Sequence, residues 1–171
     1  MKCFMVLYLL LLSFSGRSQT ADQVMAQMQQ TVDYFQQEQY EKVIPLADKT
    51  ANELKRMIGE DTVFYTGLVK MLAFSYFQTF RYEKAEATYI YLSGVIKKHC
   101  GEKAPGYIAA LNDLANVYES MGRYDKAEPL MQQTAVLIRK YEGERTMNYA
   151  INLNNLAALY HTMGQYIKAE P

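Results

Sequence analysis

The residues with the strongest claim to chemistry in this 171-residue chain are two histidines, two cysteines and a recurring glutamate. His99 and Cys100 are neighbours. On a helix, adjacent side chains diverge by about 100° and do not face one another, so the pair cannot work as a nucleophile with its base. No third ligand follows at the spacing of a zinc site. The pair reads as a surface histidine beside a half-buried cysteine. Glu60, Glu102 and Glu144 each follow a glycine and lie 42 residues apart. That spacing puts them in successive turns, near the start of the following helix, and not side by side as an acid/base pair requires. No glycine-rich phosphate loop is present. The chain is therefore read as a non-enzyme, with no catalytic residue, no metal site and no cofactor.

Composition narrows the class further. Lysine plus arginine and aspartate plus glutamate number 18 each, with no run of like charge. Such a balance lacks the basic stripe of a nucleic-acid binder. Half of the residues are hydrophobic, and the glycines and prolines are confined to a few places. A folded, helical chain is expected.

The start, MKCFMVLYLLLLSFSGRSQT, is a different kind of segment. Lys2 precedes an apolar run from Cys3 to Phe14. The run is shorter than the roughly 20 residues that span a bilayer. Gly16 and Ser18 stand where a cut before Gln19 needs small residues. Residues 1–18 thus read as a secretory signal peptide, with an uncleaved anchor as the alternative. Cys3 precedes the apolar run instead of following it, which argues against a lipoprotein. Cleavage removes Lys2 and Arg17 from the 18 basic residues, leaving 16 against 18 acidic and a net charge near −2. Cys100 is then the sole cysteine, so the mature chain has no internal disulfide and packing alone must hold it. The expectation is an exported protein, periplasmic or extracellular, with no membrane span after cleavage.

Shifted by 42 residues, the chain lies on itself. Tyr34, Tyr76, Tyr118 and Tyr160 form one column; Tyr40, Tyr82, Tyr124 and Tyr166 form another; Lys42, Lys84, Lys126 and Lys168 form a third. The copies are a divergent N-terminal repeat or cap at 19–63, repeats at 64–105 and 106–147, and an incomplete copy at 148–171. Periods of this size mark solenoids. Each copy reads as two helices. Leu111, Leu114, Ala115, Tyr118 and Met121 step along one helical face until Gly122, and Ala127, Leu130, Met131, Thr134, Leu137, Ile138 and Tyr141 along another until Gly143. Pro129, with Pro45 and Pro171 in its column, is read into the first turn, where amides have no intrahelical acceptor. Small residues pair where two helices would cross: Ala73 with Ala85, Ala115 with Ala127, Ala157 with Ala169, and more loosely Thr31 with Val43. Repetition buries what one helix pair cannot.

The succession Leu111, Leu114, Ala115, Tyr118, Gly122, Tyr124 and Ala127 resembles the tetratricopeptide repeat. The longer period, the phrase LNDLANVYESMGRYDKAEPL and the recurrent GE resemble its kinesin-light-chain-like variety. The resemblance runs from about residue 22 to 171, most strongly from 64 onward. It implies an all-α fold, a right-handed superhelical array of antiparallel helix pairs, acting as a protein–protein interaction module. Two departures stand out. Gln27 and Gln30 occupy apolar positions of the pattern, as suits a cap with a polar outer face, and Phe80 replaces the turn glycine.

In such arrays one face of each first helix lines a concave groove. Here that face carries Lys70, Phe74 and Phe77 in the second copy, Asn112, Asn116 and Glu119 in the third, and Asn154, Ala158 and His161 in the fourth. Asparagine both donates and accepts, so it can hold a peptide backbone of any sequence. Phe74 and Phe77, read as exposed, would add apolar contacts. The expected partner is a protein or an extended peptide.

Pro171 aligns with Pro129, ahead of the apolar stripe of a second helix. Leu153, Leu156 and Tyr160 would then lack their cover, and self-association through that C-terminal face is expected. The alternative expectation makes this the front of a longer polypeptide. In that reading the array regulates an effector further on, a caspase-like peptidase domain or a sensor-kinase module.

Overall fold

The structure, a computed structural model, describes residues 18–169. The segment through residue 17, which carries the export reading, and residues 170 and 171 lie outside the described residues. Among the described residues all regular structure is helical: α1 (Ser18–Gln36), α2 (Tyr40–Ile58), α3 (Val63–Gln78), α4 (Tyr82–Cys100), α5 (Pro105–Ser120), α6 (Tyr124–Tyr141), α7 (Met147–Thr162) and α8 (Tyr166–Ala169). They fall into two compact units, one through Arg81 and one from Tyr82. The division lies inside the second repeat, between α3 and α4.

In the first unit α2 packs against both α1 and α3. Its buried stripe is Val43, Ile44, Ala47, Thr50, Ala51 and Leu54, a helical spacing. Leu72 of α3 closes on Val43, Ile44 and Ala47, with Tyr34, Phe35, Met71 and Tyr76 around them. Gln27 departs from expectation. It is buried at 7% exposure, not set on an outer face. Its amide lies 2.9 Å from the Glu53 carboxylate, 3.1 Å from the Thr50 hydroxyl and 3.3 Å from the Lys49 ammonium. Glu53 can only accept and Lys49 can only donate, so the amide nitrogen points to Glu53 and its oxygen to Lys49. Thr50 donates its own proton to the Leu46 carbonyl at 2.7 Å, which leaves its oxygen to accept from Gln27. A polar residue is tolerated in the core because every partner is supplied.

In the second unit α5 packs against α4 and α6, and α6 against α7. Tyr107, Ile108 and Leu111 of α5 meet Leu137 and Ile138 of α6, with Leu130 alongside. Ala115 and Ala127, the small residues at the expected crossing, are both 0% exposed.

The turns repeat as regularly as the helices. Glu38, Phe80, Gly122 and Gly164, one per copy, have φ of 56°, 59°, 70° and 70°. Phe80 therefore keeps the left-handed turn that glycine makes elsewhere, at a steric cost glycine does not meet. The recurring glutamates each pair with the preceding helix: Lys55–Glu60 at 2.7 Å, Lys97–Glu102 at 2.8 Å and Arg139–Glu144 at 2.9 Å. Following helices are started by other means. Thr62 and Thr146 each accept from the backbone N–H three residues on at 3.3 Å, while Pro105 opens α5. Pro45 and Pro129 lie past the first turn, as sixth residues of α2 and α6. Each thus forgoes one helical hydrogen bond, and both are exposed, so water can satisfy the carbonyl left over.

Candidate functional site

The expected groove positions fall on one stripe of each first helix, and the structure extends each stripe toward the helix start. On α7 the stripe is Met147, Ile151, Asn154, Ala158 and His161, all exposed. On α5 it is Pro105, Ala109, Asn112, Asn116 and Glu119; Pro105 is exposed and the other four are half-buried. Steps of four, three, four and three residues keep each set on one helical face. Sequence reasoning missed Met147 and Ile151, at 75% and 50% exposure. The signal was available, since both continue the register of Asn154 and Ala158 backward. Along both stripes the chemistry runs from apolar at the start, through amides, to Glu119 or His161 at the end.

A buried side chain ties the two stripes together. Asn152 is 1% exposed and donates to the Asn112 Oδ1 at 3.1 Å and to the Thr134 hydroxyl at 2.6 Å. Thr134 in turn donates to the Met131 carbonyl at 2.9 Å. One amide therefore joins α5, α6 and α7. With its oxygen engaged by Asn152, the Asn112 amide is held in one orientation and keeps its N–H₂ for another acceptor. Asn152 shares a column with Leu68 and Ala110, both core residues, and that column was the clue to its burial.

On α3, in the first unit, Lys70 is exposed, but Phe74 and Phe77 are half-buried and not the bare rings expected. Phe74 lies 5.5 Å from the ring of Phe35, 5.8 Å from Tyr40 and 6.4 Å from Phe77. Tilted and edge-on contacts of this kind stabilise the rings mutually. Phe74 is first of all part of the joint between α1, α2 and α3.

The polar groups beside the core serve packing. The Tyr118 hydroxyl donates to Glu86 at 2.9 Å, and Arg123 meets the other oxygen of that carboxylate at 2.8 Å. Burial, reinforced by this bond, pushes the Tyr118 phenol up to about 12. His99 and Cys100 are both exposed at the end of α4, so the cysteine is more open than expected. Among the described residues no three His, Cys, Asp or Glu side chains gather as a metal site would need. Nor is any described helix long and apolar enough to cross a membrane.

Comparison with known proteins agrees with this geometry. The family model described as Tetratricopeptide repeat matches residues 65–135 and again 106–171. No curated protein sequence matches significantly. Among solved structures, a Podosopora anserina protein described as a kinesin light chain with nearly identical TPR-like repeats is similar at a TM-score of 0.72 and 18% identity, over 86% of this chain and 70% of that one. A variant of the same Podosopora anserina protein gives the same TM-score and identity over 69% of its own length. BtubC (BKLC) from P. vanneervenii is similar at a TM-score of 0.72 and 19% identity, over 81% of this chain. The present chain spans 55% of that protein's length. At such identities the likeness concerns the fold.

Proposed function

Because the chain belongs to the tetratricopeptide-repeat family, a family of protein-interaction modules, we propose that it holds an extended partner segment on the stripes of its first helices, without making or breaking a bond. The observation that carries this reading is the Asn152–Asn112 bond. A buried side chain donates to the Asn112 oxygen and so orients a half-buried amide at the centre of the stripe. Asn112 and Asn154 then hold the backbone of the segment, while Met147 and Ile151 give it apolar contact at one end. In the first unit the stripe of α3, Lys70 with the accessible edges of Phe74 and Phe77, is a contact face of its own.

Peptides selected from a displayed random library on the chain provide the test. The double variant Asn112→Ala/Asn154→Ala should bind them at least about tenfold more weakly while its helical circular dichroism stays unchanged. Undiminished binding would sink the groove reading, and loss of helicity would make the asparagines structural.

Export is part of the same proposal, supported by the apolar run and the small residues before Gln19. Expression of the full reading frame should give a mature protein beginning at Gln19, by N-terminal sequencing. A retained Met1 would count against it.

A further inference from the structure

Each second helix turns one stripe away from the core. Its centre falls at positions i, i+3, i+4 and i+7, which share one helical face. On α2 these are Pro45, Asp48, Lys49 and Asn52, and on α6 Pro129, Gln132, Gln133 and Val136. On α4 they are Ala87, Ile90, Tyr91 and Gly94, and all twelve are exposed. The repeat itself therefore requires no apolar residue here, yet α4 leaves Ile90 49% and Tyr91 39% exposed side by side.

Gly94 points the same way. It lies well inside α4, and a Cβ added there would meet nothing within 4 Å. Glycine weakens a helix interior, and nothing nearby in the molecule uses the space it leaves. The stripe lies opposite Ala85, Tyr89 and Leu92, the residues that α4 buries. A solenoid repeat packs only on its neighbours, so this exposure belongs to the repeat and not to the length of the chain.

We propose that α4 is a dimer interface, in which the stripe of one copy lies antiparallel on the stripe of a second copy. A twofold contact needs a patch that is complementary to itself in reverse, and this stripe is. Ile90 and Tyr91 meet their own counterparts about the axis. Ala87 faces Gly94 of the second copy, and these small residues let the helix axes come to the short end of the ~8–10 Å range. At the rims the exposed Glu83 comes opposite Lys98 of the second copy. A parallel arrangement would set Glu83 on Glu83 and Lys98 on Lys98. On α2 and α6 the rims carry the same opposed charges, Glu41 with Arg56 and Asp125 with Lys140, but proline stands where α4 has Ala87. Their central pairs, Asp48 with Lys49 and Gln132 with Gln133, are polar. The apolar centre therefore selects α4, and the charges select the antiparallel direction. One helix from each copy makes a contact below the standard size, so the dimer is weak, half-formed at about 100 µM. This interface is independent of the asparagine groove. By joining two copies it gives a partner with two matching segments a bivalent hold.

Sedimentation equilibrium from about 10 µM to about 1 mM tests this on the chain purified from expression of the full reading frame. A reversible monomer–dimer equilibrium is expected. Ile90→Glu and Gly94→Gln should each weaken it at least about tenfold with helical circular dichroism unchanged, since both positions are exposed. Leu153→Glu should leave it unchanged, which separates this face from the one on α7. Glu83→Lys alone and Lys98→Glu alone should each weaken self-association, and an equimolar mixture of the two should restore a dimer. A folded chain that stays monomeric at about 1 mM overturns the proposal, as does a dimer indifferent to Ile90→Glu. A dimer lost with Leu153→Glu overturns it too, and assigns self-association to α7. Failure of the two charge variants to pair overturns the antiparallel arrangement.

Discussion

The Tyr160 hydroxyl donates to the Glu128 carboxylate at 3.0 Å, and 42 residues earlier the Tyr118 hydroxyl donates to Glu86 at 2.9 Å. Each bond runs from the first helix of one repeat to the second helix of the repeat before it. Lysines reinforce both. Lys126 lies 5.1 Å from the Tyr118 ring and 3.8 Å from Glu86, while Lys168 lies 5.3 Å from the Tyr160 ring and 3.8 Å from Glu128. The tyrosine and lysine columns of the sequence are thus the staples between neighbouring helix pairs of the second unit.

Alkaline pH should open these staples. Burial first, then the bond to Glu86, raises Tyr118 from 10.0 to about 12. Burial likewise raises Tyr76, Tyr89 and Tyr160. A raised native value means that the folded chain holds the phenolic proton more tightly than the unfolded chain does. The resulting stabilisation is complete below pH 10 and is lost as pH climbs toward 12. Thermal melts taken upward from neutral pH should be flat to the first value and fall steeply toward the second, and Tyr118→Phe should make the fall shallower. Full tyrosinate absorbance with helicity intact near pH 10 would contradict this.

Replacing Phe80 by glycine should stabilise the chain. Phe80 sits at φ 59°, a region that side chains with a Cβ enter only at a cost, and its ring is 77% exposed, so little packing is lost. A gain of about 1 kcal/mol, or about 2–4 °C in melting temperature, is expected by calorimetry. A lowered melting temperature would show that the ring contributes more than the backbone strain costs.

Asn152→Ala should cost about 2 kcal/mol in urea unfolding, because it breaks the bonds to Asn112 and Thr134 inside the core. It should also weaken groove binding, although Asn152 itself is buried. Unchanged binding by a destabilised variant would mean that Asn112 needs no such guide.

In the first unit, Phe74→Ala should destabilise by about 2 kcal/mol through its lost ring contacts. Lys70→Ala on the same stripe should stay within about 0.5 kcal/mol. Paired melts of the two variants decide whether α3 presents a binding face or chiefly a joint. Equal, small effects would return Phe74 to the surface role first expected of it.

The periodicity made the helices, their turns and the Ala115–Ala127 crossing legible, because a strict repeat forces equal residues into equal surroundings. What it concealed were residues whose surroundings depend on other helices. Phe74 looked exposed on its own helix, but Phe35 and Tyr40 approach it from α1 and α2. Gln27 looked like a surface residue because it is polar, whereas its column continues through Val69 and Leu111, both buried. Asn152 was hidden among neighbouring asparagines, and only comparison with Leu68 and Ala110 separates it from Asn154. Phe80 shows the converse. Its turn keeps the same backbone bonds as the turn at Gly122, Phe80 N–H to the Phe77 carbonyl and Arg81 N–H to the Tyr76 carbonyl, although the local residue disfavours it.

The tyrosine–glutamate staple has a direction: every copy that uses it offers a hydroxyl to the copy before and a carboxylate to the copy after. An in-frame duplication of residues 106–147 would therefore bring its own matching ends. The inserted Tyr118 would meet the original Glu128, and Tyr160 would meet the inserted Glu128, with no partner left over. Such a joint lets the number of repeats change by recombination in steps of 42 codons, so the length of this architecture can evolve without any point mutation to repair the seam.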